Sequence, residues 1–302
     1  MSIENLLQPV ESDVERFLTV NRGRALFAEP KYDGHRVLLH VGKNGVRGWS
    51  RAGNEAVFTP ALLREVHQLP AGDYDTEMHV PGRPASQVSR LETDKHLLIF
   101  DVIRDGVYAE RRRFIAEALN KISPYGCFRL EIPKSVWVNG SGIKGREEER
   151  LDWIRRIALD FIEEGYEGAV VKADVEYQSS HAWLKVKKLQ SGDFIILGVN
   201  TRKKSWLERR EARSLLIGCY EDEVLREVGE ATHPNPVDWS KLMTGETRGV
   251  FLLVRPMVAV EVEFQEETED GRLRHAIIKR VRTDKPAESC RGAAEARKSV
   301  RV

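Results

Sequence analysis

The chain has 302 residues, 41% hydrophobic and 31% charged, with 48 Lys and Arg against 47 Asp and Glu for a net charge of +1. That length suits two cores, since domains commonly hold about 100–200 residues, and the balanced charge means that any polyanion site must be local. No apolar run approaches the roughly 18 residues of a membrane span, the start MSIENLLQPVESDVERF lacks a basic-then-apolar leader, and Cys127, Cys219 and Cys290 are too scattered for a disulfide framework or a CxxC zinc site.

Residues 12–20 suit a short helix, and ALFAEPKYDG leads into a strand and a turn. RVLLHV, KNG and VRGWSR read as a hairpin, with Asn44 and Gly45 suited to left-handed turn positions. In DYDTEMHV, Tyr74, Thr76, Met78 and Val80 alternate with Asp73, Asp75, Glu77 and His79, so one face is core and the other acidic. LLIFDVI (97–103) has the continuous apolar character of a buried strand, and ERRRFIAEAL after it is helix-like. EEERLDWIRRIALDFIEEG places Leu151, Ile154, Ala158, Phe161 and Ile162 on one helical face and stops at Gly165. EGAVVK and WLKVKK form two more short strands, and the first domain closes near Lys188.

From Asp193 the pattern changes to DFIILGV, RSLLIGCY, VLREVG, MVAVEVEF and RLRHAIIKRV. Five such strands separated by turns suit a small OB-type barrel. The segment TRKKSWLERREAR (201–213) gathers Arg202, Lys203, Lys204, Arg209, Arg210 and Arg213 around Trp206; it reads either as a solvated basic loop or as a reduced clamp on backbone phosphates. The tail AESCRGAAEARKSVRV is basic and alanine-rich and is expected to be loosely ordered. The expected division is residues 1–189 for the first domain and 190–302 for the barrel with its tail.

Taken alone, KYDGHR (31–36) is a lysine beside a turn, as many surface lysines are, and KVKK is equally a solvated edge pair. Their succession is more informative: Lys31 in KYDGHR, Glu77 in YDTEM, Phe100 in LIFDVI, Glu167 in EGAVVK, Lys185 and Lys187 in WLKVKK, then RTDK at 282–285. This ordered set resembles the covalent nucleotidyltransferase superfamily and, within it, the small ATP-dependent DNA ligases, from Glu29 to Lys285.

The resemblance implies an α+β architecture: an ATP-grasp-like nucleotidyltransferase (adenylation) domain of antiparallel sheets and helices, followed by an all-β OB-fold barrel. It implies that Lys31 is the catalytic nucleophile, adenylated by ATP with Mg2+ or Mn2+, and that AMP passes to the 5′-phosphate of a nick before the 3′-hydroxyl closes the backbone. By the same resemblance Glu29 takes the adenine-contacting position, Phe100 stacks on adenine, and Glu77 holds the ribose and serves the metal with Glu167. Lys185 and Lys187 contact the α-phosphate, Arg36 and Arg51 contact the AMP and the nick phosphate, and Arg282, Asp284 and Lys285 orient pyrophosphate as two domains close over ATP. The family usually has DGE where this chain has Asp75, Thr76 and Glu77, which puts the turn geometry there in question. The implied partner is nicked duplex DNA, met by a cytoplasmic monomer.

Elementary chemistry makes the set coherent. An attacking amine must be neutral, whereas a free lysine, with pKa about 10.4, is protonated at neutral pH. Nearby positive charge favours the neutral form, and residues 185 and 187, two apart on a strand, share a face from which to supply it. Phosphoryl-type transfer relies on positioning and charge neutralisation, so a divalent cation with carboxylate ligands is expected, with Glu77 and Glu167 as candidates. An offset of five puts Lys172 opposite Glu167 on a regular strand, which assigns Lys172 a structural or peripheral place. There is no GxxxxGK[ST] phosphate loop. The alternatives are an mRNA-capping guanylyltransferase, an RNA ligase and, in another class, a non-catalytic OB-fold nucleic-acid-binding protein.

Overall fold

The structure, a computed structural model, describes residues 10–11, 14–83, 85–88, 94–122, 129–138, 147–177, 181–200, 212–237, 240–268 and 270–301. The chain forms two compact units, Met1–Lys187 with Val302, and Lys188–Arg301.

In chain order the first unit contains β1 (Val10–Glu11), α1 (Val14–Val20), β2 (Leu26–Pro30), β3 (His35–Gly42), β4 (Gly45–Ser50), α2 (Pro60–Val66), β5 (Gly72–His79), α3 (Ala85–Val88) and β6 (His96–Val102). It continues with α4 (Tyr108–Ile122), β7 (Leu130–Glu131), β8 (Val136–Val138), α5 (Glu147–Glu163), β9 (Gly168–Ala173) and the first residues of β10 (Trp183–Asn200). One sheet runs β8-β2-β9-β10 and a second runs β4-β3-β5-β6-β7. Along these two runs the pairings are antiparallel except that of β6 with β7, which is parallel, and β1 adds to β10 in parallel.

The helices follow from local chemistry. α5 buries Ile154, Ala158 and Phe161 at 3.6-residue spacing and opens with Glu147, Glu148 and Glu149, favourable at the positive end of a helix. Gly165, with φ +97°, ends it in the left-handed conformation common just past a helix. α2 starts on Thr59, whose Oγ1 accepts the Leu62 N–H at 3.2 Å, with Pro60 in the first turn.

Two local expectations change. At the β3–β4 turn only Gly45, φ +113°, is left-handed; Asn44 stays in the ordinary region because Gly42 pairs directly with Gly45 and the glycine takes the positive φ by itself. The alternation in β5 does not leave its acidic face in water. Asp75 is fully buried and His79 nearly so, because that face looks into the interior of the unit while Tyr74 and Met78 pack with Val37, Leu39, Leu97 and Ile99.

β10 is far longer than a short WLKVKK strand. Its first residues, Trp183–Lys187, pair with β9, and Gln190–Ile195 pair with β15, so one strand serves both units. The second unit adds β11 (Ala212–Glu221), β12 (Val224–Val237), β13 (Met243–Arg248), β14 (Phe251–Val254), β15 (Ala259–Phe264), β16 (Glu266–Glu267), β17 (Leu273–Arg274), β18 (Ile277–Val281) and β19 (Arg297–Arg301). The order β11-β12-β18-β15-β10, closed by pairing of β10 with β11, is a five-stranded barrel around Phe194, Ile196, Leu215, Ile217, Val260, Val262 and Ile278. The β13–β14 hairpin is an addition that the sequence pattern did not announce.

The tail corrects another expectation. Residues 287–295 form two 3-10 turns, and Ala287 and Cys290 are buried against Ile195 and Ala259. Small apolar groups thus tie this segment to the barrel despite its basic composition. Cys219 and Cys290 are buried free thiols, and Cys127 lies outside the described residues. Among the described residues no helix is long and apolar enough to cross a membrane.

Candidate active site

Lys31 lies immediately past β2. Its N–H donates to the Gly168 carbonyl at 2.9 Å, its carbonyl accepts from Glu167 N–H at 3.2 Å, and its Nζ forms an ion pair with the Glu167 carboxylate. Two glycines make this possible. A Cβ on Gly168, where φ is +149°, would sit 2.0 Å from the Val186 carbonyl oxygen; a Cβ on Gly34 would sit 2.6 Å from the Met78 carbonyl oxygen and 2.8 Å from Glu77 Cγ. The glycine of KYDG therefore lets β5 bring Glu77 against the Lys31 turn, and the glycine of EGAVVK lets β9 meet β10. Asp33, between Lys31 and Gly34, anchors the turn by accepting the Ala85 N–H at 3.0 Å.

The register fixes one face of the β2-β9-β10 sheet. Phe27 pairs with Lys172 and Glu29 with Val170, while Trp183, Lys185 and Lys187 pair with Lys172, Val170 and Gly168. Glu29, Lys172, Trp183, Lys185 and Lys187 thus share a face. Lys185 and Lys187 are half-buried on it, while Leu184 and Val186 are buried on the other side.

Lys172 keeps the structural place expected of it, but the parity argument for it does not hold. The parity rule assumed that Glu167 belongs to a regular strand, but β9 starts only at Gly168, whose backbone redirects the chain. Lys172 is fully buried; its Nζ pairs with Glu29 at 2.7 Å and donates to the Phe100 carbonyl at 2.6 Å. Glu29 also accepts from Arg112 at 2.8 Å and from the Tyr108 hydroxyl. An isolated buried carboxylate is costly, and these three donors are what allow Glu29 to be there.

The opposite wall comes from β3, β5 and β6. Arg36 makes a bidentate pair with Asp75, with Nε to Oδ1 at 2.9 Å, and Asp75 also accepts the Tyr177 hydroxyl at 2.8 Å. Burial by itself lowers the affinity of the Arg36 guanidinium for its proton, and Asp75 more than reverses this, so Arg36 is held firmly charged. Its guanidinium lies 5.7 Å from the Trp183 ring and 5.8 Å from the Phe100 ring. Phe100 meets Trp183 edge-to-face at 5.6 Å.

Glu77 differs from its neighbours. Its carboxyl is pushed up to about 7, first by burial; Lys31 and Arg36 oppose that rise, while Asp75 and Glu167 add to it. Thr76, standing where the resembled family has glycine, lies within a continuous strand rather than a turn, and its hydroxyl donates to the Val37 carbonyl at 2.7 Å. In the pairing with β6 the register shifts between Asp75 and Thr76, the extra residue being Phe100 on β6.

Arg51 is exposed in the turn after β4. Asp75, Tyr177, Tyr108, Arg112 and Trp183 were not singled out from sequence; only Asp75, beside Glu77 in an alternating strand, had a visible signal. In the second unit Arg282 donates to Asp193 and to Asp284, each at 2.8 Å, and Lys285 pairs with Asp193 at 2.9 Å. RTDK is thus held together by a carboxylate from β10. Arg202, Lys203, Lys204, Arg209 and Arg210, with Trp206, lie outside the described residues.

With this geometry in place, comparison with known proteins is informative. Residues 208–285 match the family model for the ATP dependent DNA ligase C terminal region. A DNA ligase 2 of Methanosarcina acetivorans is 24% identical over an alignment covering 95% of this chain and 56% of that protein. The multifunctional non-homologous end joining protein LigD of Pseudomonas aeruginosa is 28% identical over 50% of this chain and 21% of its own length. The chain thus spans from about a fifth to about half of the curated relatives it matches. Among solved structures, one from a structure–function study of Lig E DNA ligases, concerned with DNA binding by a minimal scaffold, superposes with TM-score 0.60 at 16% identity, covering 92% of this chain and 99% of that one. Another, designated Pmar-Lig, superposes with TM-score 0.66 at 18% identity over 92% of this chain and 67% of that one. The fold is that of a ligase nucleotidyltransferase domain followed by an OB barrel.

Proposed function

We propose that this chain is an ATP-dependent DNA ligase that seals nicked duplex DNA through a covalent AMP on Lys31. The observation that carries this reading is the junction of Lys31 with Glu167 beside a sheet face bearing Lys185 and Lys187, faced by Glu77 and Arg36 within the same unit. No simple binding module needs an amine, two carboxylates and two further cations gathered in this way.

In the first step Lys31 Nζ attacks the α-phosphorus of ATP, forming an N–P bond as the bond to pyrophosphate breaks. Attack uses the amine lone pair, so the contact with Glu167 opens in the reacting state. Lys185 and Lys187 neutralise the phosphate, and the Arg36–Asp75 pair, fixed by Tyr177, supplies a rigid cationic wall. In the second step an oxygen of the nick 5′-phosphate attacks the same phosphorus and Lys31 departs; in the third the 3′-hydroxyl displaces AMP and closes the backbone. Arg282 and Lys285 serve pyrophosphate in the first step. Glu29 and Phe100 form the base end of the site, and Arg51 serves the nick phosphate. The basic segment 201–213 contributes backbone contacts whose strength falls as salt rises.

A divalent cation fits the donor set, because Glu77 and Glu167 are oxygen ligands that influence one another's charge in the same cleft. When bound, such as Mg2+ or Mn2+, it neutralises charge on the reacting phosphate. The reading places a monomer in the cytoplasm, acting on nicks left by replication, repair or recombination.

Incubation with labelled ATP or GTP followed by denaturing electrophoresis tests the reading. Label from ATP, discharged on addition of nicked duplex, is expected; label from GTP alone would replace the ligase with a capping guanylyltransferase. Sealing only of nicks with RNA at the 3′-hydroxyl strand would make it an RNA ligase.

A further inference from the structure

At the end of β5 beyond Glu77, the edge of the five-stranded sheet gathers two imidazoles and a carboxylate. His79 is the last residue of β5 and His96 the first of β6, and the two are direct cross-strand partners. Glu131 comes from the adjoining β7, which pairs in parallel with β6. One donor atom from each of the three lies within 4.8 Å of the others. His96 Nδ1 is 2.5 Å from Glu131 Oε1, and His79 Nε2 is 3.6 Å from the same oxygen. That second separation is too long for a hydrogen bond. His79 is 7% exposed, and its Nε2 is buried with no hydrogen-bond partner. A buried ring nitrogen left without a partner is costly, and it is aimed at a carboxylate already shared with a second imidazole.

We propose that His79, His96 and Glu131 form a binding site for a divalent transition metal of the zinc class, separate from the carboxylates of the nucleotide cleft. Two imidazoles and one carboxylate are the donor set of three-ligand zinc sites, whereas magnesium and calcium favour all-oxygen shells. Around a tetrahedral zinc with bonds near 2.0–2.1 Å, neighbouring ligand atoms lie about 3.3 Å apart. The His79–Glu131 distance is already close to this, and the His96–Glu131 contact has only to lengthen by less than an ångström. The three ligands come from three hydrogen-bonded strands, and their donor atoms all lie within 4.8 Å of one another before any ion arrives. Three protein ligands leave a fourth position for water.

The site also has a structural neighbour of interest. The Tyr32 ring lies 5.3 Å from His79 and 5.1 Å from Tyr166. These two tyrosines adjoin Lys31 and Glu167 in sequence, so the ring contacts of His79 run to the neighbours of the Lys31–Glu167 pair.

Cobalt(II) titration of the full chain, stripped of metal by a chelator, tests the assignment through the visible absorption of the bound ion. The wild type and the Glu167→Gln variant are expected to show the same intense four-coordinate band, displaced by zinc, because an ion on the oxygen ligands of the nucleotide site absorbs only weakly. His96→Asn and Glu131→Gln, both at partly exposed positions, are expected to weaken binding by more than the roughly 10–100-fold that loss of an outer-shell partner costs. Absence of a cobalt spectrum in the wild type, or its retention in both His96→Asn and Glu131→Gln, overturns the proposal, as does its loss in Glu167→Gln alone. Circular dichroism of each apo variant confirms that the fold is present when binding is read.

Discussion

The two charge clusters of this chain are built in opposite ways. In the first unit, Arg36, Asp75, Glu29 and Lys172 are sequestered from water, and every carboxylate oxygen is met by donors from distant elements such as Tyr108, Arg112 and Tyr177. In the barrel, Arg282, Asp284, Lys285 and Asp193 satisfy one another near the surface, three of them within four residues of sequence. A buried network holds a fixed electrostatic wall whose members cannot be removed singly without leaving an unpaired charge. A surface cluster is screened by solvent and can exchange partners at little cost. The first design suits a site that must be ready before substrate arrives, and the second suits groups that act on a departing product.

The sharpest way to break this contrast begins at the junction itself. Lys31→Ala is expected to abolish the covalent adenylate and nick closure together, with an unchanged circular dichroism spectrum. Next in size is stability: Asp75→Ala leaves Arg36 buried and uncompensated and is expected to cost about 3–5 kcal/mol in denaturant unfolding. Asp193→Ala, by contrast, shifts the melting temperature only slightly. If Asp193→Ala destabilised the chain as much as Asp75→Ala, the distinction between the two clusters would be lost.

A smaller, kinetic effect is expected at Arg282. Arg282→Ala should slow adenylation by no more than about 10²-fold, the lower end of what a preorganised, water-excluded donor contributes, while closure of a pre-adenylated nick stays near the wild-type rate. Equal slowing of both would deny the motif its selective role. The smallest effect is at Glu77. Its carboxyl binds a proton more tightly in the fold, at about 7, than at the ordinary 4.5, so it contributes stability that is present below about pH 4.5 and lost as the pH rises through about 7. Glu77→Gln should flatten that part of the stability profile between pH 4.5 and 7, measured by thermal melting.

Much of this was legible in the chain itself. The periodicity of 147–163 yields α5 with its buried face, and of the ordered lysines and glutamates Glu167 pairs with Lys31. What escaped sequence reading depends on backbone irregularity or on distant contacts. The face that Lys172 occupies was not legible, because Gly168, with its positive φ, breaks the regular alternation from Glu167 on which parity depends. Tyr108, Arg112 and Tyr177 reach Glu29 and Asp75 across 79, 83 and 102 residues of chain, and nothing local marks them. The tail was expected to be loose because its charges are obvious and its small buried groups, Ala287 and Cys290, are not.

The most direct test is the intact mass of the chain, followed by peptide mapping, after mixing with ATP and magnesium. The account predicts an acid-labile gain of one AMP on Lys31, lost when nicked duplex is added. A stable unmodified mass, or an adduct on any other residue, would contradict it.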